Sequence, residues 1–179
     1  MKRYLAFLRG INISGKNKIP MAELQRGIES LGFAEVKTYL NSGNVIFSSD
    51  TDNTEHIKDE IEKKIKTLFN LNIPVFVISE EKLEDILHNA PDFWGNENKE
   101  VYDNLIFIIP PAELSEVLTV LGKPDDKFEK IKEYKEAIFW SFDRKNYRKS
   151  SWWSKTASAG ICMKLTIRTA NTIKRIIEM

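Results

Sequence analysis

The hydrophobic period of this chain switches between that of a strand and that of a helix in one fixed order, and the order leaves few folds open. Residues 3–9 form an apolar, strand-like run. Pro20 to Leu31 places Met21, Leu24, Ile28 and Leu31 at helical spacing, with Pro20 suited to the first turn and Gly32 to the stop. Val36 to Leu40 and Val45 to Phe47 read as two strands joined by Asn41-Ser42-Gly43-Asn44. Thr54 to Phe69 reads as a second helix with Ile57, Ile61, Ile65 and Leu68 on one face and Thr54 as its cap. Ile73 to Ile78 closes the series as a strand. The order is β-α-β-β-α-β, the split βαβ or ferredoxin-like arrangement, whose first and third strands lie side by side at the centre.

The same order emerges a second time. A short helix over Glu80 to His88 and a loop with Pro91, Trp94 and Gly95 lead to a strand at Leu105 to Ile109. A helix at Leu114 to Leu121 follows, then strands at Phe128 to Tyr134 and Ala137 to Phe142. A helix over Ser151 to Ala159, a strand over Met163 to Arg168 and a closing helix over Ala170 to Glu178 complete the chain. The expectation is an α+β protein with two ferredoxin-like subdomains built on antiparallel sheets and an extra C-terminal helix. Residues 1–78 form the first subdomain, 79–100 a connecting helix and loop, and 101–179 the second.

Within this frame the stretch Arg9-Gly10-Ile11-Asn12-Ile13-Ser14-Gly15-Lys16-Asn17-Lys18 marks a candidate anion site. Glycines let a backbone approach a ligand closely, while free N–H groups, a following helix N-terminus and cations all favour negative charge. Gly10 to Lys16 fits the first seven positions of a nucleotide-triphosphate loop, G-x-x-x-x-G-K. Asn17 stands where that loop needs Ser or Thr, and no apolar strand ends in a metal-binding acid. The alternative is a plain β-to-α connection with Asn12 and Asn17 in turn conformations. Pairing of the central strands would bring Arg9 and Lys16 to the hairpin carrying Ser42 and Asn44, although that hairpin is also composed of ordinary turn residues.

Charge is segregated along the chain. Residues 1–49 carry +4 and residues 143–179 carry +7, whereas 50–100 carry −7 and 101–142 carry −3. Basic ends that met in space would form one positive face for phosphates or nucleic acid; the other reading is solvated helix faces. The segment Arg144 to Lys155 interleaves cations with Tyr147, Trp152 and Trp153, a composition suited to single-stranded nucleic acid, although paired tryptophans more commonly include a core anchor. Tyr4, Phe7 and Phe47 fall on the strands that stack bases in RNA-binding ferredoxin-like modules, without the Gly-Phe-Gly-Phe type of signature.

Other chemistries find little support. His56 and His88 stand alone on helices, without metal-ligand spacing to Cys162, which reads as a small buried apolar group. Glu80, Glu81, Glu84 and Asp85 read as one exposed helix face. No cofactor or metal motif is present, and no apolar run reaches the roughly 20 residues of a membrane span. The one cysteine precludes an internal disulfide, and a cytoplasmic location is the simplest expectation.

Several of these motifs occur together in a known order. Arg9-Gly10-Ile11-Asn12, Gly15-Lys16-Asn17, Met21, Leu24, Leu31-Gly32-Phe33, Tyr39, Ser42-Gly43-Asn44-Val45 and Phe47 resemble the bacterial domain-of-unknown-function family 1697. Thr166, Arg168, Asn171 and Thr172 fit a closing Thr-x-Arg-Asn-Trp-Asn-Thr-Val of that family, with Thr169 and Ala170 departing from it. Ser154-Lys155 resembles a further Ser-Lys pair. The resemblance implies two ferredoxin-like parts and no substrate. The residues assigned to ligand binding are Arg9, Gly10, Asn12, Gly15, Lys16, Asn17, Ser42 and Asn44, with Arg168 and Asn171 added if the chain ends converge. The ligand is a phosphate-bearing small molecule or, alternatively, single-stranded nucleic acid; an enzyme acting on a phosphorylated small molecule is the third reading.

Overall fold

The structure, a computed structural model, describes residues 1–158 and 160–179. It divides into two units, Met1–Leu83 and Glu84–Met179. The first contains β1 (Lys2–Leu8), α1 (Met21–Glu29), β2 (Ala34–Tyr39), β3 (Asn44–Ser49), α2 (Thr54–Phe69) and β4 (Val75–Ser79). Helix α3 (Glu80–His88) carries the division. The second contains β5 (Val101–Ile108), α4 (Leu114–Leu121), β6 (Glu129–Tyr134), β7 (Ala137–Asp143), α5 (Ser151–Thr156), β8 (Leu165–Thr169) and α6 (Ala170–Ile177). The sheets run β2-β3-β1-β4 and β6-β7-β5-β8, and every pairing is antiparallel. Both units therefore have the ferredoxin-like arrangement that the element order implies.

In the first unit the alternation of β1 sends Tyr4, Ala6 and Leu8 to one face, where Val45, Phe47, Val75 and Val77 join them from the neighbouring strands. Leu24 and Ile28 of α1, with Ile57, Ile61 and Ile65 of α2, seal this layer at helical spacing. Tyr4, Phe7 and Phe47 are all buried, so none offers a ring to a base. Leu68 leaves the buried stripe and is half exposed, lying over Gly27, where a Cβ would stand 2.5 Å from its Cδ1. The cap of α2 is Asn53, one residue before the expected Thr54; its Oδ1 accepts from the N–H groups of Glu55 (3.1 Å) and His56 (3.0 Å).

The second unit packs Ile106, Ile108, Ile138, Trp140 and Phe142 of the sheet against Val117, Leu121 and Trp152. Strand β5 starts four residues before the expected Leu105. Its polar beginning conceals the strand in sequence, but the register with β7 runs from Val101–Asp143 to Phe107–Ala137. Those polar groups are satisfied: the Asn104 carbonyl accepts from Trp94 Nε1 at 2.7 Å, and Asp103 accepts from the Gly95 N–H at 3.0 Å and from Ser141. The α5 helix ends at Thr156, short of the expected Ala159, which lies outside the described residues. Strand β8 begins at Leu165, leaving Met163 exposed, and Cys162 is half-buried.

The four acids at α3, expected to form one exposed helix face, are not uniformly solvated: Glu80 and Asp85 are half-buried and Glu81 and Glu84 exposed. Glu80 pairs with Arg3 at 3.1 Å, and Asp85 accepts from Lys135 Nζ at 2.5 Å and from the Tyr134 hydroxyl at 3.2 Å. Among the described residues, no helix is long and apolar enough to cross a membrane.

A buried carboxylate organises the second unit. Glu129, 2% exposed, opens β6 and accepts from five donors. These are the Asp125 N–H (3.0 Å), Trp140 Nε1 (3.0 Å), the Ser150 hydroxyl, and the Ser151 N–H (2.9 Å) and hydroxyl (2.7 Å). Burial pushes this carboxyl's pKa up, but hydrogen bonds from Ser150 and Ser151, then Asp125 and Trp140, outweigh it and hold the pKa below the ordinary glutamate value. The anion also sits at the first turn of α5, whose cap is Ser150.

Glu129→Ala leaves these donors without an acceptor and is expected to lower unfolding stability by about 3 kcal/mol in chemical denaturation. Because the folded pKa is depressed, the contribution of the wild-type carboxylate is complete above about pH 5. It declines as pH falls below the ordinary carboxylate value and through the lower folded one. Glu129→Gln should flatten that acid limb; an unchanged acid limb in the glutamine variant would contradict this assignment.

Candidate functional site

The Arg9–Lys18 segment emerges from the C-terminal end of β1, next to the loop that opens β3. The Leu8 N–H donates to the Gly43 carbonyl at 2.8 Å, and the Arg9 N–H donates to the Pro74 carbonyl at 2.9 Å. Gly43, with φ 79°, is the closest approach: a Cβ there would lie 2.6 Å from Leu8 Cβ and 2.9 Å from Ile11 Cδ1. Buried Ile11 and Ile19 anchor the two ends of the segment to the core.

Between those anchors the chain forms a small hairpin. The Asn12 N–H donates to the Asn17 carbonyl at 3.1 Å and the Lys16 N–H to the Ile13 carbonyl at 2.9 Å. Ser14 and Gly15, at φ 50° and 78°, supply the two positive φ angles of a tight primed turn. This backbone differs from a nucleotide-triphosphate loop, which wraps its phosphates after a strand of a parallel sheet. The sheet here is antiparallel, and Gly15-Lys16 belong to a hairpin turn.

Two asparagines hold the hairpin in place, and a third, Asn44, holds the adjoining β2–β3 loop. Asn12 accepts at Oδ1 from the Ile19 N–H (2.9 Å), and its Nδ2 donates to the carbonyls of Ile19 (3.0 Å) and Asn41 (2.9 Å). Asn17 Nδ2 donates to the Gly10 carbonyl at 2.9 Å. Asn44, fully buried, donates through Nδ2 to the Tyr39 carbonyl (2.8 Å) and the Ser42 hydroxyl (3.1 Å). The Asn12–Asn41 bond stitches the hairpin to the β2–β3 loop. These amides shape the backbone of the candidate site, a role that turn-forming composition alone did not distinguish from ligand contact.

The predicted residues Arg9, Gly10, Asn12, Gly15, Lys16, Asn17, Ser42 and Asn44 thus gather at one end of the first unit's sheet. Arg9 is half-buried, whereas Gly15, Lys16, Asn17, Lys18 and Ser42 are exposed. Among the described residues, neither Lys16 nor Lys18 takes part in an ion pair. Arg168 and Asn171 belong to the second unit. Arg168 is buried in β8, with Nη1 donating to the Thr166 hydroxyl (2.9 Å) and the Ile167 carbonyl (2.8 Å). Asn171 is exposed in the first turn of α6 and lines a cleft with Tyr102 and Arg144. Sequence inspection missed that cleft, because Tyr102 reaches Arg144 only through the pairing of β5 with β7.

Near the basic segment, Trp152 is a core anchor whose Nε1 donates to the Gly122 carbonyl at 3.0 Å, while Trp153 is 44% exposed. Trp153 stands edge-on to Tyr147, with ring centroids 4.9 Å apart, and Arg148 Nε donates to the Tyr147 hydroxyl at 3.0 Å. Among the described residues, no group of three or more His, Cys, Asp or Glu is placed to hold a metal ion.

Comparison with known proteins agrees with this architecture. A family model described as "Protein of unknown function (DUF1697)" matches residues 1–139, and the chain belongs to that family. The solved structure of the conserved bacterial protein SP0830 from Streptococcus pneumoniae is similar over 99% of this chain and 97% of that one, with 28% identity and a TM-score of 0.81. No curated protein matches the chain.

Gly43→Ala is expected to cost more than about 2 kcal/mol, since the new methyl meets Leu8 and Ile11 while the backbone holds a left-handed φ. Asn12→Ala should cost about 1–2 kcal/mol and expose the amides of the hairpin to hydrogen exchange. Exchange rates matching the wild type in the Asn12 variant would show that its amide does not hold the loop.

Proposed function

We propose that this protein binds a phosphate-bearing ligand at the Arg9–Lys18 hairpin. The observation carrying the proposal is the pair of exposed lysines, Lys16 and Lys18, neither of which joins an ion pair among the described residues, on a hairpin stitched at both ends. A preorganised cationic turn binds an anion without first having to order itself. Arg9, Lys16 and Lys18 supply charge, the backbone around Gly15 offers N–H groups, and Ser42 borders the same end of the sheet. Residues 9–18 contain no carboxylate, imidazole or thiol, so the proposal is for binding and assigns no reaction.

A thermal-shift panel of nucleotides, phosphosugars and oligonucleotides tests the proposal. A ligand at about 100 times its dissociation constant adds about 2.7 kcal/mol, a rise of roughly 5–10 °C for a chain of this size. Lys16→Ala with Lys18→Ala should remove most of that rise while leaving the unliganded melting temperature in place. Absence of a shift with every anion would refute the site.

A second reading rests on the exposure of Trp153. Its ring, with Tyr147 and the exposed cations Arg148 and Lys149, offers a stacking surface and phosphate contacts to single-stranded RNA or DNA. Trp153→Ala should then weaken oligonucleotide binding by about 1–3 kcal/mol at every salt concentration. Arg148→Ala with Lys149→Ala should instead flatten the salt dependence, which amounts to a log–log slope of about −0.7 per phosphate neutralised. Oligonucleotides binding no better than inorganic phosphate at low salt would exclude this reading.

A further inference from the structure

The second unit contains a cleft of about 450 Å³ bordered by Tyr102, Asp103, Arg144, Asn98, Lys99 and Asn171. Its volume lies in the range of small-molecule sites. The Arg144 guanidinium carbon lies over the Tyr102 ring, 4.2 Å from its centroid, a cation–π contact that holds the charge beside the cleft. That pairing is set by the sheet: Tyr102 stands opposite Phe142 in the β5–β7 register, and the Arg144 N–H donates to the Glu100 carbonyl at 2.8 Å. Among the described residues, the Arg144 guanidinium joins no ion pair or hydrogen bond, and neither does the Asn171 side-chain amide. Two acids line the cleft, Asp103 and Glu97. Asp103 is already committed, since it accepts from the Gly95 N–H (3.0 Å) and the Ser141 hydroxyl, and Glu97 is exposed to solvent, which screens its charge.

The geometry points to a second binding site here, distinct from the Arg9–Lys18 hairpin, for a small hydroxylated organic anion. Arg144 receives the anionic group in its fork, and Lys99 adds charge at the rim. Asn171 faces hydroxyl groups with an amide that both donates and accepts, and Asn98, whose Oδ1 accepts from the Glu100 N–H at 2.9 Å, offers its Nδ2 as a donor. A planar, always-charged fork suits either a carboxylate or a phosphate, so the shared chemistry is an oxyanion on a polyol. The polar lining and the pairing of a single fork with amides favour such a molecule over an apolar one.

Titration of the full chain with ribose 5-phosphate, gluconate and neutral ribose, followed through backbone and asparagine side-chain amide NMR signals, tests the site. Saturable shifts are expected at residues 96–103, Arg144 and Asn171 with one or both anions and not with ribose. The anion that saturates at lower concentration identifies phosphate or carboxylate as the preferred group. Arg144→Ala should weaken binding by about tenfold or more. Arg144→Lys, which retains charge but lacks the fork, should recover only part of the loss. Tyr102→Leu, which removes the platform, should weaken the anion and leave the Arg144→Ala variant no weaker still. Shifts confined to the amides of residues 9–18 would report the hairpin alone and overturn this proposal, leaving the first reading intact. No saturable shift at the cleft up to about 10 mM of either anion, or equal titrations for wild type and Arg144→Ala, would overturn it as well.

Discussion

The close approach of β1 to the start of β3 governs the first unit. Central strands of an antiparallel sheet must be within hydrogen-bonding distance along their length, and here the pairing extends past the regular ladder to the Leu8–Gly43 bond of 2.8 Å. Only a residue without a side chain fits between Leu8 and Ile11 at that point. The consequence is geometric. The segment leaving β1 and the loop entering β3 start from one place, and one asparagine amide suffices to join them.

Polar side chains take structural roles in both units that hydrophobic pattern alone would not assign. Asn44 and Glu129 are buried, and each is surrounded by groups of its own unit that complete its hydrogen bonding. Among the described residues, no buried side-chain nitrogen or oxygen lacks a partner. An unpaired carboxylate in an apolar core would be prohibitively costly, whereas one with five donors becomes a fixed joint between β6, β7 and the start of α5. Specific connectivity is the gain from such a joint: the apolar contacts of Trp140 and Trp152 allow sliding, and the directional bonds to Glu129 do not.

The Arg9–Lys18 segment shows how one residue pattern serves two backbones. Glycine at two positions and a lysine after the second fit both a phosphate-wrapping loop and a primed hairpin turn, because each needs positive φ at defined places. The neighbouring sheet decides between them. A parallel sheet would lead the segment straight into a helix along the crossover, whereas here the segment has Gly43 and Asn41 beside it and folds back on itself with Asn12 opposite Asn17.

Sequence alone determined the element order, the helical stripes of α1 and α2 except at Leu68, and the limits of α2, α3 and α4, because these depend on local periodicity and on breakers such as Gly32 and Gly122. It also gathered the residues of the hairpin site, since the order of strands in a ferredoxin-like sheet follows from the order of elements. It did not reveal the early start of β5, whose Asp103 and Asn104 look like loop residues until Trp94, Gly95 and Ser141 are brought to them. Nor did it separate Trp152 from Trp153, adjacent residues of which a helix turns one into the core and the other to solvent. The roles of Asn12, Glu129 and Arg144 were decided only in three dimensions, because each depends on a partner 7 to 42 residues away. Periodicity records which side of an element is apolar; the partner of a polar group is fixed only when distant segments pack.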